Sequence, residues 1–286
     1  MSQDVDNAAE GRLEVVATPI GNLGDASTRM REALAAADLV VAEDTRRTGR
    51  LLTQFGVDRP LFALHDHNEA EVVPGLIARM RDGARLALVS DAGTPAISDP
   101  GFRLVRAALA EGLRVSPVPG AVALIAALSV SGLPTDRFAF EGFPPAKAKA
   151  RLASFQALAD EPRTLVFYEA VHRIEASLRD AVTAFGAGRP AFLARELTKM
   201  HEQCVSDTLA GLLEAVATGR VTAKGEFVLA IAGHPTAGDA DRVQVGASEL
   251  MRRALAAGLS RGDAARLVAG VSGLSRNDLY AATVDD

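Results

Sequence analysis

The sequence has a single cysteine and no long apolar run. One cysteine, Cys204, excludes an internal disulfide framework and a cysteine-rich zinc site. The longest apolar stretch, residues 121–130, falls well short of the ~20 residues that a membrane-spanning helix needs. Residues 1–10 are acidic and polar, unlike a signal peptide. We therefore expect a disordered tail at 1–10 and a cytoplasmic protein without a membrane partner.

The chain also lacks a surplus of positive charge. It has 31 lysines and arginines against 36 acidic residues, a formal net charge of −5. A protein that binds duplex nucleic acid by itself usually carries a basic surplus that neutralises phosphates. Any contact with nucleic acid must therefore depend on local basic patches, or the partner is a small molecule.

Several catalytic signatures are absent as well. The sequence contains no G-x-S-x-G elbow, no Walker A loop and no H-E-x-x-H motif. Serine hydrolysis, P-loop phosphoryl transfer and zincin chemistry are therefore disfavoured. The dinucleotide fingerprint G-x-G-x-x-G is missing too, which weakens a nicotinamide interpretation.

Short apolar runs alternate with helical patterns along most of the chain, which is typical of α/β domains. The first unit should have a mostly parallel sheet and end near Gly120, and a second α/β unit follows it. Residues 233–244 are rich in Gly, Asp and Ala and predict a linker. The predicted organisation is a tail at 1–10, α/β domains at 11–119 and 120–235, and a linker with a helical extension at 236–286.

The C-terminal segment predicts three helices, at 248–257, 260–271 and 275–282. Ser260 and Ser275 stand at N-cap positions. Residues 242–279 contain six arginines and three acids, a local charge of about +3. Two such helices joined by a glycine-containing turn suit a helix-turn-helix unit that grips nucleic acid. A three-helix cap that only packs on the main body has the same pattern, and both interpretations stay open.

Two segments near the ends of predicted strands have unusual composition. Residues 18–24 (TPIGNLG) follow the first strand, and their glycines allow a ligand to approach the backbone closely. Residues 90–101 (SDAGTPAISDPG) hold two aspartates, two prolines, two glycines and hydroxyl groups. Ligands of open α/β sheets bind at the carboxyl ends of strands, so residues 90–101 predict a polar ligand site, whereas residues 18–24 taken alone are also explained by a turn. As a structural alternative, Asp99 and Pro100 would cap the helix that follows.

Two further segments of the first domain carry paired charges. Residues 42–47 (AEDTRR) suit a capped helix start with Asp44 as N-cap, or a site for an anionic substrate. Residues 65–69 (HDHNE) place two histidines around an aspartate. That arrangement could bind a metal, but a third ligand would have to come from elsewhere. We prefer a polar loop that faces the substrate, and we expect no metal.

In the second domain, three segments become polar where a predicted strand starts or ends. They are 167–173 (FYEAVHR), 193–199 (LARELTK) and 224–227 (KGEF). The first two change from apolar to charged within three residues, as expected where a buried strand emerges at a cleft. Helix capping explains part of either one but does not explain both.

Taken together, these motifs resemble the tetrapyrrole methylase superfamily over residues 13–233, and in particular its ribosomal branch, the small-subunit ribosomal RNA methyltransferase I family. The resemblance implies two α/β domains with S-adenosylmethionine in the cleft between them, a small C-terminal helical extension, and usually a homodimer. It implies 2′-O-methylation of a cytidine ribose in the decoding region of 16S ribosomal RNA, within the small ribosomal subunit.

Site residues are carried over by position. The resemblance places the cofactor against Pro19, Asp91, Ala92, Gly93, Thr94 and Pro95, and further against Ser98, Ser129, Val130, Tyr168, Leu197, Gly225 and Glu226. We expect Lys199, or an acid among Glu43, Asp44 and Asp66, to assist the ribose hydroxyl, which is a weak acid. Arg46, Arg47, Arg173 and Arg195 would hold phosphates, and His65 and His67 would face the substrate.

Two rival functions remain. A small-molecule tetrapyrrole methylase would have a cleft suited to a flat acidic macrocycle and no purpose for basic terminal helices. A non-enzymatic protein could sense the cofactor while its terminal helices grip nucleic acid.

Overall fold

Two five-stranded sheets organise the chain as far as Ala232. The computed structural model describes residues 11–235, 237–272 and 274–281, with 237–245, 280 and 281 as backbone only. The predicted tail at 1–10 lies outside the described residues, as do 236, 273 and 282–286 of the predicted C-terminal segment.

The first sheet is entirely parallel, with strand order β3-β2-β4-β1-β5. Its strands read as nearly continuous apolar runs because helices cover both faces. All carboxyl ends meet at one edge, so the segments after β1, β2 and β4 become neighbours. The elements are β1 (Arg12–Val16), α1 (Thr28–Ala36), β2 (Leu39–Ala42), α2 (Thr45–Gln54), β3 (Leu61–Ala63), α3 (Glu69–Arg81), β4 (Arg85–Val89), α4 (Phe102–Ala110) and β5 (Arg114–Val118).

The second sheet is mixed, with strand order β6-β7-β10-β8-β9. Only β6 and β7 are parallel; the other neighbours are antiparallel. The sequence did not predict β9, an edge strand of sequence QCVSDT in which most residues are polar. The elements are α5 (Ala123–Ser131), β6 (Phe138–Phe140), α6 (Ala148–Ala157), β7 (Thr164–Ala170), α7 (Ile174–Phe185), β8 (Pro190–Arg195), β9 (Gln203–Thr208), α8 (Leu209–Ala217) and β10 (Glu226–Ile231).

The second sheet is covered on both faces. On one face, Phe155 of α6 packs between Phe167 and Phe185, with ring centroids 5.3 and 5.5 Å away. On the other face, α5 places Leu124 and Leu128 against the sheet. Each such side chain contributes about 1.5–3 kcal/mol when fully buried. Because α5 joins β5 to β6, this packing ties the chain leaving the first sheet to the face of the second.

The start of α4 differs from the sequence prediction. Its N-cap is Gly101 rather than Asp99, and the first-turn amides of Arg103 and Leu104 donate instead to the carboxylate of Glu69, at 2.8 and 3.3 Å. The preceding loop passes through left-handed backbone at Ala96, Ser98 and Gly101, with φ of 66°, 64° and 123°. This path takes Asp99 away from the helix start and places it on the wall of a cavity. The prediction that Asp99 caps α4 is wrong.

After Ala232 the described chain is helical. The predicted linker at 233–244 is also wrong in large part, because α9 spans Ala237–Ala256. Alanine, arginine and glutamine in this stretch favour a helix, and its glycines weaken but do not prevent one. α10 (Arg261–Ser272) and α11 (Arg276–Ala281) follow. No described helix is long and apolar enough to cross a membrane.

The C-terminal helices have their own small core, built around Met251, Val268 and Leu279. Both predicted serine caps are confirmed. The hydroxyl oxygen of Ser260 accepts from the amide of Asp263 at 3.2 Å, and Ser275 does the same for Asp278 at 3.2 Å. Each serine hydroxyl also donates to the carboxylate of the same aspartate, at 2.7 Å.

Candidate active site

The loops after β1 and β4 are joined by backbone hydrogen bonds. The amide of Thr18 donates to the carbonyl of Gly93 at 2.8 Å, and the amide of Gly93 donates back at 3.1 Å. Gly93 has φ +83°, a left-handed conformation that favours glycine. The two motifs that the sequence singled out at these strand ends therefore form one structure.

The loop after β2 is joined to the same structure through Asp91. One carboxylate oxygen of Asp91 accepts from the amide of Asp44 at 3.1 Å, and the other lies 3.0 Å from Arg47. In return, the Asp91 amide donates to Glu43 at 3.4 Å. Burial and the neighbouring Asp91 carboxylate raise the pKa of Glu43. Glu43 is thus an unusually basic carboxylate, half-buried beside the β4 loop.

Asp44 serves a different purpose from Glu43. Its carboxylate caps α2 by accepting from the Arg46 amide at 2.8 Å, as predicted, and it also binds the Arg46 side chain at 2.8 Å. These contacts hold the pKa of Asp44 well below its usual range. Asp44 is therefore a poor proton acceptor.

Asp99 is another acid of this region whose pKa is raised. Its partial burial, reinforced by the nearby carboxylates of Glu43 and Asp91, raises its pKa to about 6, and a hydrogen bond with Ser90 opposes the rise only in part. A carboxyl group in this state is ready to ionise when a cation approaches.

We expect Asp99→Asn to stabilise the ligand-free protein at neutral pH. The unfolded chain has an Asp pKa of about 3.9, so the native state binds more protons between that pH and about 6. Wild-type stability therefore falls as pH rises through this window, whereas asparagine stays neutral. We expect a gain on the order of 1 kcal/mol at about pH 7.5, reduced by solvent screening, and little change at about pH 4. Urea unfolding at both pH values measures the change in the free energy of unfolding. An equal gain at both would contradict a raised pKa of Asp99.

The second sheet supplies the opposite wall. The Lys199 ammonium lies 2.8 Å from Glu196 and 2.9 Å from Glu226. Burial opposes its charge, but these two carboxylates raise the Lys199 pKa above its ordinary value. Its stem lies against Gly21, where an added Cβ would stand 2.4 Å from Lys199 Cγ. Gly21 thus gives Lys199 room to reach the loop after β1.

Tyr168 lies on the same wall, at the end of β7. Its hydroxyl accepts from the Leu124 amide at 3.3 Å, which links β7 to the start of α5. Burial raises the Tyr168 pKa, so the phenol stays neutral. Its ring meets Phe140 and Phe143 edge-on, with centroids 4.8 and 5.6 Å away.

These walls enclose a cavity of about 410 Å³, within the size range of ligand pockets. Both walls contribute carboxylates and apolar side chains to its lining. Its lining includes these predicted site residues: Glu43, Arg47, Asp91, Ala92, Gly93, Thr94, Ser98, Tyr168, Leu197, Lys199 and Glu226. Residues that sequence reasoning missed are Ile20, Ile97, Asp99, Val122, Ala123, Phe143, Glu169, Ala170, Ala194, Phe227 and Val228.

The remaining predicted residues lie elsewhere. Pro19 lines a second cavity of about 250 Å³, which shares Arg47 and Asp91 with the first. The others are not part of the first cavity's lining: Asp44, Arg46, His65, Asp66, His67, Pro95, Ser129, Val130, Arg173, Arg195 and Gly225. Asp66 is still near enough to raise the pKa of Glu43 and Asp99.

Two predicted phosphate-binding arginines have internal partners. Arg173 lies 2.7 Å from the buried Glu169, whose other oxygen accepts from Ser177. Arg195 is buried and donates to the backbone carbonyls of Lys224 and His201. Both side chains therefore stabilise the ends of strands in the second sheet.

In the histidine motif, the ring centroids of His65 and His67 lie 6.0 Å apart. His65 is partly buried, with an Nδ1 atom that has no hydrogen-bond partner, while His67 is exposed. In the part of the chain that the structure describes, no group of three or more His, Cys, Asp or Glu side chains could hold a metal ion.

Sequence comparison identifies the relatives of this architecture. The family model of the tetrapyrrole (corrin/porphyrin) methylases matches residues 12–213, and that of the RsmI C-terminal HTH domain matches 245–285. The ribosomal RNA small subunit methyltransferase I of Xylella fastidiosa is 56% identical over 82% of this chain and 85% of the relative. That of Synechocystis is 46% identical over 96% of this chain and 98% of the relative.

Solved structures show the same fold at low sequence identity. Uroporphyrin-III-C-methyltransferase from Thermus thermophilus has a TM-score of 0.55 at 19% identity, over 78% of this chain and 94% of the other. Diphthine synthase has a TM-score of 0.57 at 16% identity, over 77% and 90%. The Thermus enzyme has also been solved in complex with S-adenosyl homocysteine; that structure has a TM-score of 0.53 at 20% identity, over 78% and 97%. From its family match and these close relatives, the chain belongs to the ribosomal RNA small subunit methyltransferase I family of the tetrapyrrole methylases.

Proposed function

We propose that the chain transfers a methyl group from S-adenosylmethionine to the ribose 2′-hydroxyl of a cytidine in the decoding region of 16S ribosomal RNA. The observation that carries this proposal is the cavity, which is lined by the acidic Glu43, Asp91 and Asp99 together with apolar residues. Relatives from Xylella and Synechocystis, named for methylation of small-subunit ribosomal RNA, support the choice of acceptor.

The residues of the cavity fit this cofactor. S-adenosylmethionine carries a positive sulfonium and a positive ammonium group, and the carboxylates of Asp91 and Asp99 in the lining suit that charge. The two cations of the lining, Arg47 and Lys199, already have carboxylate partners. Ile97 and Tyr168 offer apolar surface for a flat ring. We propose that Asp91 and the neighbouring backbone of residues 92–94 hold the cofactor, with Ser98, Leu197 and Glu226 on its periphery.

For proton transfer we propose Glu43. The cofactor supplies an activated methyl group, so the protein chiefly has to orient the ribose oxygen and accept its proton. During methyl transfer, the Glu43 carboxylate would accept the proton that leaves the ribose hydroxyl. Asp44 and Lys199 suit this role less, since Arg46 neutralises the first and two carboxylates keep the second protonated. Asp66 does not line the cavity.

RNA would approach from the side of α2. Arg46 is largely exposed and Arg47 is two-thirds exposed, which leaves both able to reach phosphates. Arg173 and Arg195 would act indirectly by fixing the strand ends. We further propose that the protein acts as a homodimer in the cytoplasm, that its target lies within a small ribosomal subunit, and that the C-terminal helices grip RNA.

The acceptor class can be tested with cofactor carrying a radiolabelled methyl group. We expect label in small subunits purified from cells that lack this methyltransferase, less in naked 16S RNA, and none in a porphyrinogen. Label in the porphyrinogen alone would favour a small-molecule methylase. Cofactor binding without label in any acceptor would favour a sensor and contradict the proposal.

A further inference from the structure

Phe143 is an exposed aromatic side chain at the edge of the cavity. Its side chain lines the cavity, yet the residue is 53% exposed. Large apolar groups left exposed beside a ligand site often mark a surface that a partner covers. The rings of Phe143 and Tyr168 are in T-shaped contact, with centroids 5.6 Å apart.

The residues that follow Phe143 are basic. Lys147 and Lys149 are exposed, and neither forms an ion pair within the described part of the chain. The sequence has no acidic residue from Gly142 to Ala159. In a chain with a net charge of −5, this is a locally positive stretch beside the cavity.

Hydrogen bonds and an ion pair fix the backbone on both sides of this segment. At its start, the carbonyl of Gly142 accepts from the Tyr168 amide at 3.0 Å. Further on, the buried Arg151 lies 2.7 Å from Asp180 of α7 and donates to the carbonyl of Ala146 at 3.4 Å. Because the segment is fixed at both ends, its aromatic ring and lysines are preorganised for binding. Preorganisation lowers the entropic cost of binding a ligand.

We propose that residues 143–149, the Phe143–Lys149 platform, hold single-stranded RNA at the entrance of the cavity. The Phe143 ring stacks on the base of the acceptor nucleotide, and Lys147 and Lys149 bind the flanking phosphates. Aromatic stacking combined with positive charge is the usual way in which proteins hold unpaired RNA. This inference rests on the proposed function, because it assigns the RNA acceptor of the same site.

The stacking can be tested with Phe143→Ala, its rescue by Phe143→Trp, and Phe102→Ala as the matched control. Phe102 is 62% exposed but does not line the cavity. We expect Phe143→Ala to raise the KM for small subunits about tenfold with no change in the calorimetric Kd of S-adenosylmethionine. Phe143→Trp should restore the KM, and Phe102→Ala should match the wild type. Loss of cofactor affinity in Phe143→Ala would make the ring part of the cofactor site and overturn the proposal.

The charges can be tested by comparing Lys147→Gln/Lys149→Gln with Arg103→Gln/Arg106→Gln. The control pair is exposed on α4 and removes the same charge. The measured quantity is the slope of log Kd against log salt concentration for a labelled single-stranded RNA. Losing two phosphate contacts should reduce this slope by about 1.4, roughly 0.7 per contact. The control pair should change it less. Equal salt dependence for both pairs would overturn the platform.

The two proposals fail separately. If wild-type protein transfers no methyl group to small subunits, the proposed function fails. The binding of labelled RNA to the variants still tests whether the platform binds RNA. If methyl transfer occurs but the platform and control variants bind RNA equally, only the platform fails.

Discussion

Glu43→Gln is expected to lower the single-turnover rate of methyl transfer to small subunits by about 10²–10³-fold. Glutamine keeps the size of the side chain and can still accept from the Asp91 amide, but it cannot take a proton. The Kd of S-adenosylmethionine should change little. We expect this loss because Glu43 lines the cavity and has a raised pKa, whereas Arg46 lowers that of Asp44.

The pH dependence separates a base from a structural carboxylate. A base must be ionised, so the wild-type rate should rise with pH through the Glu43 pKa, which lies above its ordinary value of 4.5, and then level off. Glu43→Gln should lose this rise. Glu32→Gln, an exposed change on α1, should behave as the wild type does. An unchanged rate in Glu43→Gln would remove Glu43 from the reaction.

Asp91→Asn is expected to weaken S-adenosylmethionine binding by about 10–100-fold, as the loss of a charged hydrogen-bonding partner costs ~1.5–3 kcal/mol. The change removes one negative charge from the cavity and frees Arg47, which lies 3.0 Å from the carboxylate. An unpaired guanidinium would repel a cationic ligand. Asparagine can still accept from the Asp44 amide, so the loop should keep its shape.

Isothermal titration calorimetry measures this effect directly. Asp58→Asn, an exposed change in the segment before β3, controls for the loss of one negative charge. A thermal melt of the ligand-free variant checks that the fold is retained. Wild-type affinity in a folded Asp91→Asn protein would contradict the placement of the cofactor beside the β4 loop.

The sequence predicted most elements of the fold because the parallel strands of the first sheet are mainly apolar and are separated by helical patterns. The sequence failed to predict β9 and the start of α9 for the same reason, which is that local composition did not indicate the tertiary packing of either segment. β9 is a sheet edge with too few apolar residues to stand out. The start of α9 contains glycine and aspartate, which favour turns locally, but it continues into the helix around Met251.

For the site, the sequence indicated the right loops but not which side chains meet. Residues at strand ends were a good guide because the carboxyl ends of parallel strands share one edge. The pairing of Asp91 with Arg47 joins positions 44 residues apart, and no local pattern encodes it. Asp99 was assigned to a helix cap, and only the left-handed backbone before it takes it to the cavity. Arg195 looked like a phosphate ligand, but its partners are backbone carbonyls.

The central claim is that this cavity directs methyl transfer to a ribose oxygen of ribosomal RNA. The most direct test is to incubate the protein and S-adenosylmethionine with small subunits from cells lacking this methyltransferase, digest the RNA to nucleosides and identify the methylated product by mass spectrometry. We predict a new methylated cytidine whose methyl group lies on the sugar fragment, absent when Glu43→Gln is used. A methyl group on a base fragment, or no methylated nucleoside, would contradict the account.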